Sequence, residues 1–165
     1  MTRDRDPAGR PRNARPRDAL GRPLDRADAG RDRIPDDLVI TGAEAAVRAD
    51  RLLRDGLPFH AHEVLEAAWK SAGPAERDLW QGLAQIAVGL THARRGNARG
   101  AVTLLRRGAH RVRAYQDGPA AAGPRPYGMD VASVLAGCEA LATRIEQDGL
   151  DAIPPAALAP RLLPG

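Results

Sequence analysis

The chain has 165 residues, the length of one domain with tails. Five aromatic residues and 18 Val, Ile and Thr stand against 32 Ala and 18 Leu, which starves the pleated faces of a sandwich or barrel and favours an all-α fold. Arg supplies 24 of the 25 bases against 21 acids, and the resulting net charge of +4 points at first sight to an acidic or nucleic-acid partner.

Residues 1–33 hold ten Arg and six Asp with too little apolar content for a core, so they read as an extended Arg/Pro-rich arm. Nothing in them resembles an export signal. The longest apolar run, Leu83 to Leu90, is far short of the roughly 20 residues of a membrane helix. A soluble, cytoplasmic protein without a membrane partner is the expectation. The near absence of Lys beside abundant Arg, Ala, Gly and Pro reflects a GC-rich genome more than a partner.

Five helical segments are predicted across residues 34–152, each punctuated by Gly or Pro. The first runs from about Ala43 to Asp55, with Thr41 as cap and Gly56 as stop. Pro58 opens the second, suited to a first helical position because its missing N–H would be unpaired there, and the segment ends near Gly73. The third runs from Pro74 to Arg95 and stops at Gly96-Asn97. The fourth, about Asn97 to Asp117, aligns Ala101, Leu104, Leu105, Gly108, Val112 and Tyr115 on one face. A loop from Gly118 to Gly128 leads to the fifth, capped by Asp130 and running to Asp148. Residues 153–165, with four Pro, form an irregular tail. Short connections imply antiparallel neighbours and hence a compact up-and-down bundle of about five helices. The lone Cys138 shares helical spacing with Val131, Val134, Leu135, Leu141 and Ile145 and reads as core packing.

One constellation stands out. In the second segment, Phe59, His62, Glu66 and Trp69 fall on the inward side, whereas Glu63, Lys70 and His60 fall outside it. The third segment is apolar nearly all round except for Gln81, Gln85 and His92, a single polar stripe. Buried polar groups need partners, so these side chains are expected to share one cluster. Imidazole and carboxylate at i and i+4, as in His62 and Glu66, with His92 as a third donor, form a candidate divalent-metal set. The wider set His62, Glu63, Glu66, Trp69, Gln81, Gln85 and His92 is a candidate site for a small polar ligand. The same groups also serve as a hydrogen-bonded network that fixes helix register without any chemistry. The zinc-protease pattern is not met, because position 66 is Glu, and a di-iron bundle is excluded by the lack of an interior acid on the third helix. No reaction follows from these residues.

The run Phe59-His60-Ala61-His62-Glu63-Val64-Leu65-Glu66-Ala67-Ala68-Trp69-Lys70, followed by Glu76-Arg77, Gln81-Gly82-Leu83-Ala84-Gln85, His92, Arg95-Gly96-Asn97 and Gly100-Ala101, resembles a bacterial helical family catalogued as domain of unknown function 309. The likeness covers about residues 45 to 115. It implies an all-α fold and brings no established activity. The arm, Arg10-Pro11-Arg12-Asn13-Ala14-Arg15-Pro16-Arg17-Asp18 with Leu20-Gly21-Arg22-Pro23-Leu24, is similar to the start of actinobacterial members. An Arg-rich peptide of this kind suits guanidinium pairing with Glu63 or Glu66.

The charge is segregated. Residues 1–33 carry +4, Ile34–Asp78 −4, Leu79–Gln116 +7 with no acid, and Asp117–Gly165 −3. Arg94, Arg95, Arg99, Arg106, Arg107 and Arg113 therefore form an alternative candidate site for phosphate or nucleic acid. The nucleic-acid reading is the less favoured, since no aromatic side chain for base stacking lies among them before Tyr115. A structural or interaction domain, monomeric or homo-oligomeric, is the third reading.

Overall fold

In a computed structural model, which describes residues 34, 35 and 37–165, the first helix begins where the sequence offers a reciprocal cap. The Thr41 hydroxyl accepts the Glu44 N–H at 3.2 Å, and the Glu44 carboxylate accepts the Thr41 N–H at 3.0 Å. This capping box satisfies two donors that a helix start otherwise leaves open. It launches α1, Gly42–Arg54. Gly56 then takes φ +73, a conformation without steric cost only for glycine, and lets Pro58 open α2, Pro58–Ser71. A 3₁₀ turn at Pro74–Glu76 feeds α3, Arg77–Arg94. Asn97, whose side-chain oxygen accepts the Gly100 N–H at 2.9 Å, starts α4, Ala98–Asp117. Asp130 caps α5, Val131–Asp148, through the Ser133 N–H. Two more 3₁₀ turns, Leu150–Ala152 and Pro155–Leu158, carry the chain through its Pro-rich end. No strand occurs among the described residues, and the fold is all-α.

Each helix packs on the next in sequence, and the most extensive pairing is between α3 and α4. Small residues make it so. A Cβ on Gly82 would sit 2.8 Å from the Gly108 carbonyl oxygen and 2.9 Å from the Val112 nitrogen, and one on Gly108 would sit 2.6 Å from the Gly82 oxygen. Farther along, Gly89 faces the Leu105 nitrogen and the Ala101 oxygen. The residue numbers rise on α3 as they fall on α4, so the pair is antiparallel. Arg106 with Glu146 and Arg113 with Glu139 show the same for α4 and α5. Trp80, Leu65, Leu79, Leu90, Leu105 and Val112 fill the centre. Burial of each large apolar side chain contributes about 1.5–3 kcal/mol.

Two long-range ties close the bundle. Asp50, buried on α1, accepts the Leu162 N–H at 2.8 Å and the Leu163 N–H at 3.0 Å with one oxygen, while the other meets Arg54 at 2.9 Å. The Leu162 carbonyl in turn accepts the Asp130 N–H. Ile153, Leu158 and Leu162 of the Pro-rich end belong to the core. In the α4–α5 connection, Tyr127 holds φ +53, stacks over Gly42, tilts against Trp80 at 5.4 Å and donates its hydroxyl proton to Glu76 at 2.6 Å. That bond pushes the phenol up to about 12. Cys138 is buried among apolar side chains, and burial pushes its thiol up to about 12, so it packs as a small hydrophobe.

Candidate functional site

The polar residues singled out from the sequence sit on the half-buried edges of α2 and α3. On α2 these are Phe59, His62, Glu63, Glu66 and Trp69; on α3 they are Gln81, Gln85 and His92, joined by Val88. On α2 the spacing 59, 62, 66, 69 and on α3 the spacing 81, 85, 88, 92 each draw one stripe along a 3.6-residue helix.

On α2 a charge ladder follows this stripe. The His62 Nε2 lies 3.5 Å from Glu66, and Lys70 reaches the other Glu66 oxygen at 3.5 Å. The Phe59 ring tilts against His62 at 5.8 Å. Burial depresses the His62 pKa below its ordinary value; the neighbouring Glu66 carboxylate opposes this and Lys70 adds to it. The imidazole is therefore neutral at pH 7. With the proton on the nitrogen facing Glu66, Nδ1 becomes an acceptor, and it is buried without a hydrogen-bond partner. The side-chain oxygen of Gln85 is in the same condition. Glu63, one position on from His62, accepts the backbone N–H of Ile34 at 3.2 Å.

His92 serves a different end. The Asn97 side-chain N–H reaches its Nδ1 at 3.1 Å, so His92 steadies the residue that caps α4. Among the described residues no group of three His, Cys, Asp or Glu is placed to hold a metal ion, so His62, Glu66 and His92 do not close around one centre. The sequence spacing put His92 on the right stripe, but the stripe spans too much of α3 for its last member to join the first.

His60 corrects the sequence reading. Expected to face solvent, it is 4% exposed, with its ring edge against Phe59 at 6.1 Å. The flank of α2 that carries His60 and Ala67 is also covered, so the buried arc is wider than the apolar positions alone indicate.

The arginine patch is partly spent inside the bundle. Arg106 pairs with Glu146 and Arg113 with Glu139, both across to α5, and Arg111 pairs with Asp78 of α3 at 3.0 Å. Arg94 and Arg95 are half-buried, Arg94 with its guanidinium against Gly56. Arg99 and Arg107 are exposed. The acids that neutralise the run lie more than 25 positions away in sequence, which is why a local count showed only positive charge. No helix among the described residues is long and apolar enough to cross a membrane. The expected pairing of the arm with Glu63 or Glu66, and the likeness of the arm to actinobacterial sequences, concern residues outside those described.

Comparison with known proteins agrees with the motif series. The "Uncharacterized protein YpuF" of Bacillus subtilis (strain 168) is 46% identical over 48 residues, 28% of this chain and 28% of the relative. The chain thus aligns with little more than a quarter of that relative's length. No solved structure matches. A family model described as Domain of unknown function (DUF309) matches residues 47–104. Over that stretch, from the second half of α1 into α4, the chain is similar to the DUF309 family.

Proposed function

We propose that the chain is a binding protein whose half-buried α2 and α3 edges flank one groove for a polar group rich in hydrogen-bond donors. One observation carries this reading: His62 Nδ1 and the Gln85 side-chain oxygen are buried acceptors with no partner. A buried polar atom left unpaired costs about 1–3 kcal/mol, so two on adjoining helices call for a ligand that satisfies both. The stripe of Phe59, His62, Glu66 and Trp69 on α2 and that of Gln81 and Gln85 on α3 are both half-buried, and the two helices pack against each other.

The chemistry of the lining selects the ligand. Neutral His62, Gln85 and the Glu66 carboxylate all accept hydrogen bonds, and the carboxylate adds a negative charge. A guanidinium matches this set, since it offers five N–H donors in a planar fork and no acceptor. The Phe59 ring, 5.8 Å from His62, supplies a face on which such a plane stacks. An anionic ligand finds no such match here.

The probe is N-acetyl-arginine methylamide, titrated into the full chain with NMR detection of the His62 ring and the Gln85 side-chain amide. A single side chain of this size binds with a Kd of order 1 mM. Both resonances are expected to move together, and His62→Ala and Gln85→Leu to weaken binding, with N-acetyl-lysine methylamide binding less well. Unmoved resonances, or equal binding by the two probes, overturn the reading.

A further inference from the structure

We propose that the outward face of α1 is an interface between two copies of this chain, packed antiparallel about a two-fold axis. Leu38, Val39, Ile40, Ala43 and Val47 line an open groove of about 500 Å³ there, and Glu44 and Arg48 complete its walls. Val39 is 85% exposed and Val47 58%. Tyr127, the remaining exposed large hydrophobic side chain among the described residues, lies over Gly42 at the start of the same helix. Apolar surface gathered in one place and bordered by charge is characteristic of a protein–protein contact. The helix itself is two-sided: Ala45, Ala46, Ala49 and Leu53 are buried, whereas Ala43, Glu44, Val47 and Arg48 are exposed.

The order of charge along this face selects a second copy as the occupant. The exposed acids Asp37 and Glu44 come first, and the exposed bases Arg48 and Arg51 follow. A face that runs from negative to positive complements itself when reversed, and a two-fold contact between identical surfaces is the commonest form of association. Ala43 and Val47 are one helical turn apart, as are Glu44 and Arg48, so the apolar pair and the charged pair run side by side. Reversal about an axis through the middle of this stretch lays Val47 of each copy near Ala43 of the other, and Glu44 of each near Arg48 of the other. Thr41 engages a single Glu44 oxygen through its N–H and its hydroxyl, which leaves the second oxygen to meet a guanidinium. A polyanion, by contrast, would be repelled by Asp37 and Glu44.

Size sets the strength. The 13 residues of α1 make a strip about 20 Å long and about 10–12 Å wide. Even with Leu38–Ile40 added, that is less than the roughly 800 Å² per partner of a standard interface, so the dimer is weak and exchanges with monomer, with a Kd on the order of 100 µM. Sedimentation velocity of the full chain, from about tenfold below that concentration to about tenfold above it, is the test. The mass is expected to rise from 17.6 kDa towards twice that value. Val39→Glu/Val47→Glu should weaken association at least about tenfold and leave the melting temperature unchanged, because both side chains are exposed. A monomer at every concentration overturns the inference and leaves the groove to another segment of this chain or to a different protein. A dimer indifferent to the valine substitutions overturns it too, since the contact then lies elsewhere.

A charge exchange tests the antiparallel arrangement itself. Arg48→Glu alone sets acid against acid across the axis, and Glu44→Lys alone sets base against base, so each variant should stay monomeric. An equimolar mixture restores an opposite pair at both contacts and should dimerise about as well as wild type. Variants that dimerise singly, or a mixture that stays monomeric while both proteins are folded, overturn the two-fold pairing. Glu44→Lys also removes the reciprocal cap of α1, so its melting is followed; should it fail to fold, the valine variant and Arg48→Glu decide between the outcomes.

Discussion

Asp50 and Leu162 lie 112 positions apart in sequence and are joined by a buried 2.8 Å hydrogen bond from the Leu162 backbone to the Asp50 carboxylate. Asp50 is among the few buried charged side chains of the described residues, and its two oxygens are committed to two backbone N–H groups and one arginine. Buried charge is tolerated only when paired this fully.

Removing that carboxylate should release the Pro-rich end. Asp50→Ala leaves the Leu162 and Leu163 N–H groups without an acceptor, and the expected loss is about 2–5 kcal/mol. Hydrogen exchange at those two amides should accelerate before exchange in α3 does. Equal protection of residues 158–163 in wild type and variant contradicts the assignment.

Tyr127→Phe isolates the bond to Glu76 while keeping the ring over Gly42. It should cost about 0.5–1.5 kcal/mol near neutral pH. The wild-type phenol is raised to about 12 from an ordinary value of 10. A folded pKa above the unfolded one contributes stability that is complete below pH 10 and disappears as pH rises towards 12. The gap between wild type and Tyr127→Phe should therefore narrow across that window, measured by urea unfolding at stepped pH.

Two glycine substitutions should act in opposite directions. Gly82→Ala puts a methyl group within 2.8 Å of a backbone oxygen of α4, a contact that only a shift of the helices relieves. Overpacking of this kind costs about 1–3 kcal/mol, more than the gain of up to about 1 kcal/mol in helix propensity. Gly137 of α5 has nothing within 4 Å of such a methyl. Gly137→Ala should raise stability by about 0.5–1 kcal/mol. Thermal melting of the two variants against wild type gives the signs directly.

The neutral state of His62 predicts a response to acid. Its folded pKa is depressed, so its contribution is complete above the unfolded value of about 6.5 and is lost as pH falls towards the folded pKa. The Glu66 carboxylate works against the shift and Lys70 with it. His62→Gln should show a flatter stability profile between pH 7 and 5. A wild-type profile equally flat there would mean that His62 protonates freely in the fold.

Much of the fold was legible because its helix ends are written locally. Thr41 with Glu44, Pro58, Asn97 and Asp130 each mark a start, and the observed bounds fall within a few residues of those expected. What required the structure was non-local. The burial of His60 depends on what packs against its flank of α2, the pairing of Arg106 and Arg113 depends on α5, and the grip of Asp50 depends on residues over a hundred positions away. The stripes of the candidate site followed from helical period, yet the engagement of His92 by Asn97 did not, because it turns on the geometry of the α3–α4 connection.

The glycine seam bears on the site as well as on stability. Gly82 and Gly89 press backbone to backbone against α4, and any rotation of α3 about its own axis would drive a side chain into that contact. The seam works as a key in a slot. Gln81 and Gln85 stand next to Gly82 and one turn beyond it, so the slot sets the direction in which their amides project. For the ligand proposed above, ordering those amides would cost little entropy. A methyl added at Gly82 would turn the aim of both glutamines without touching either.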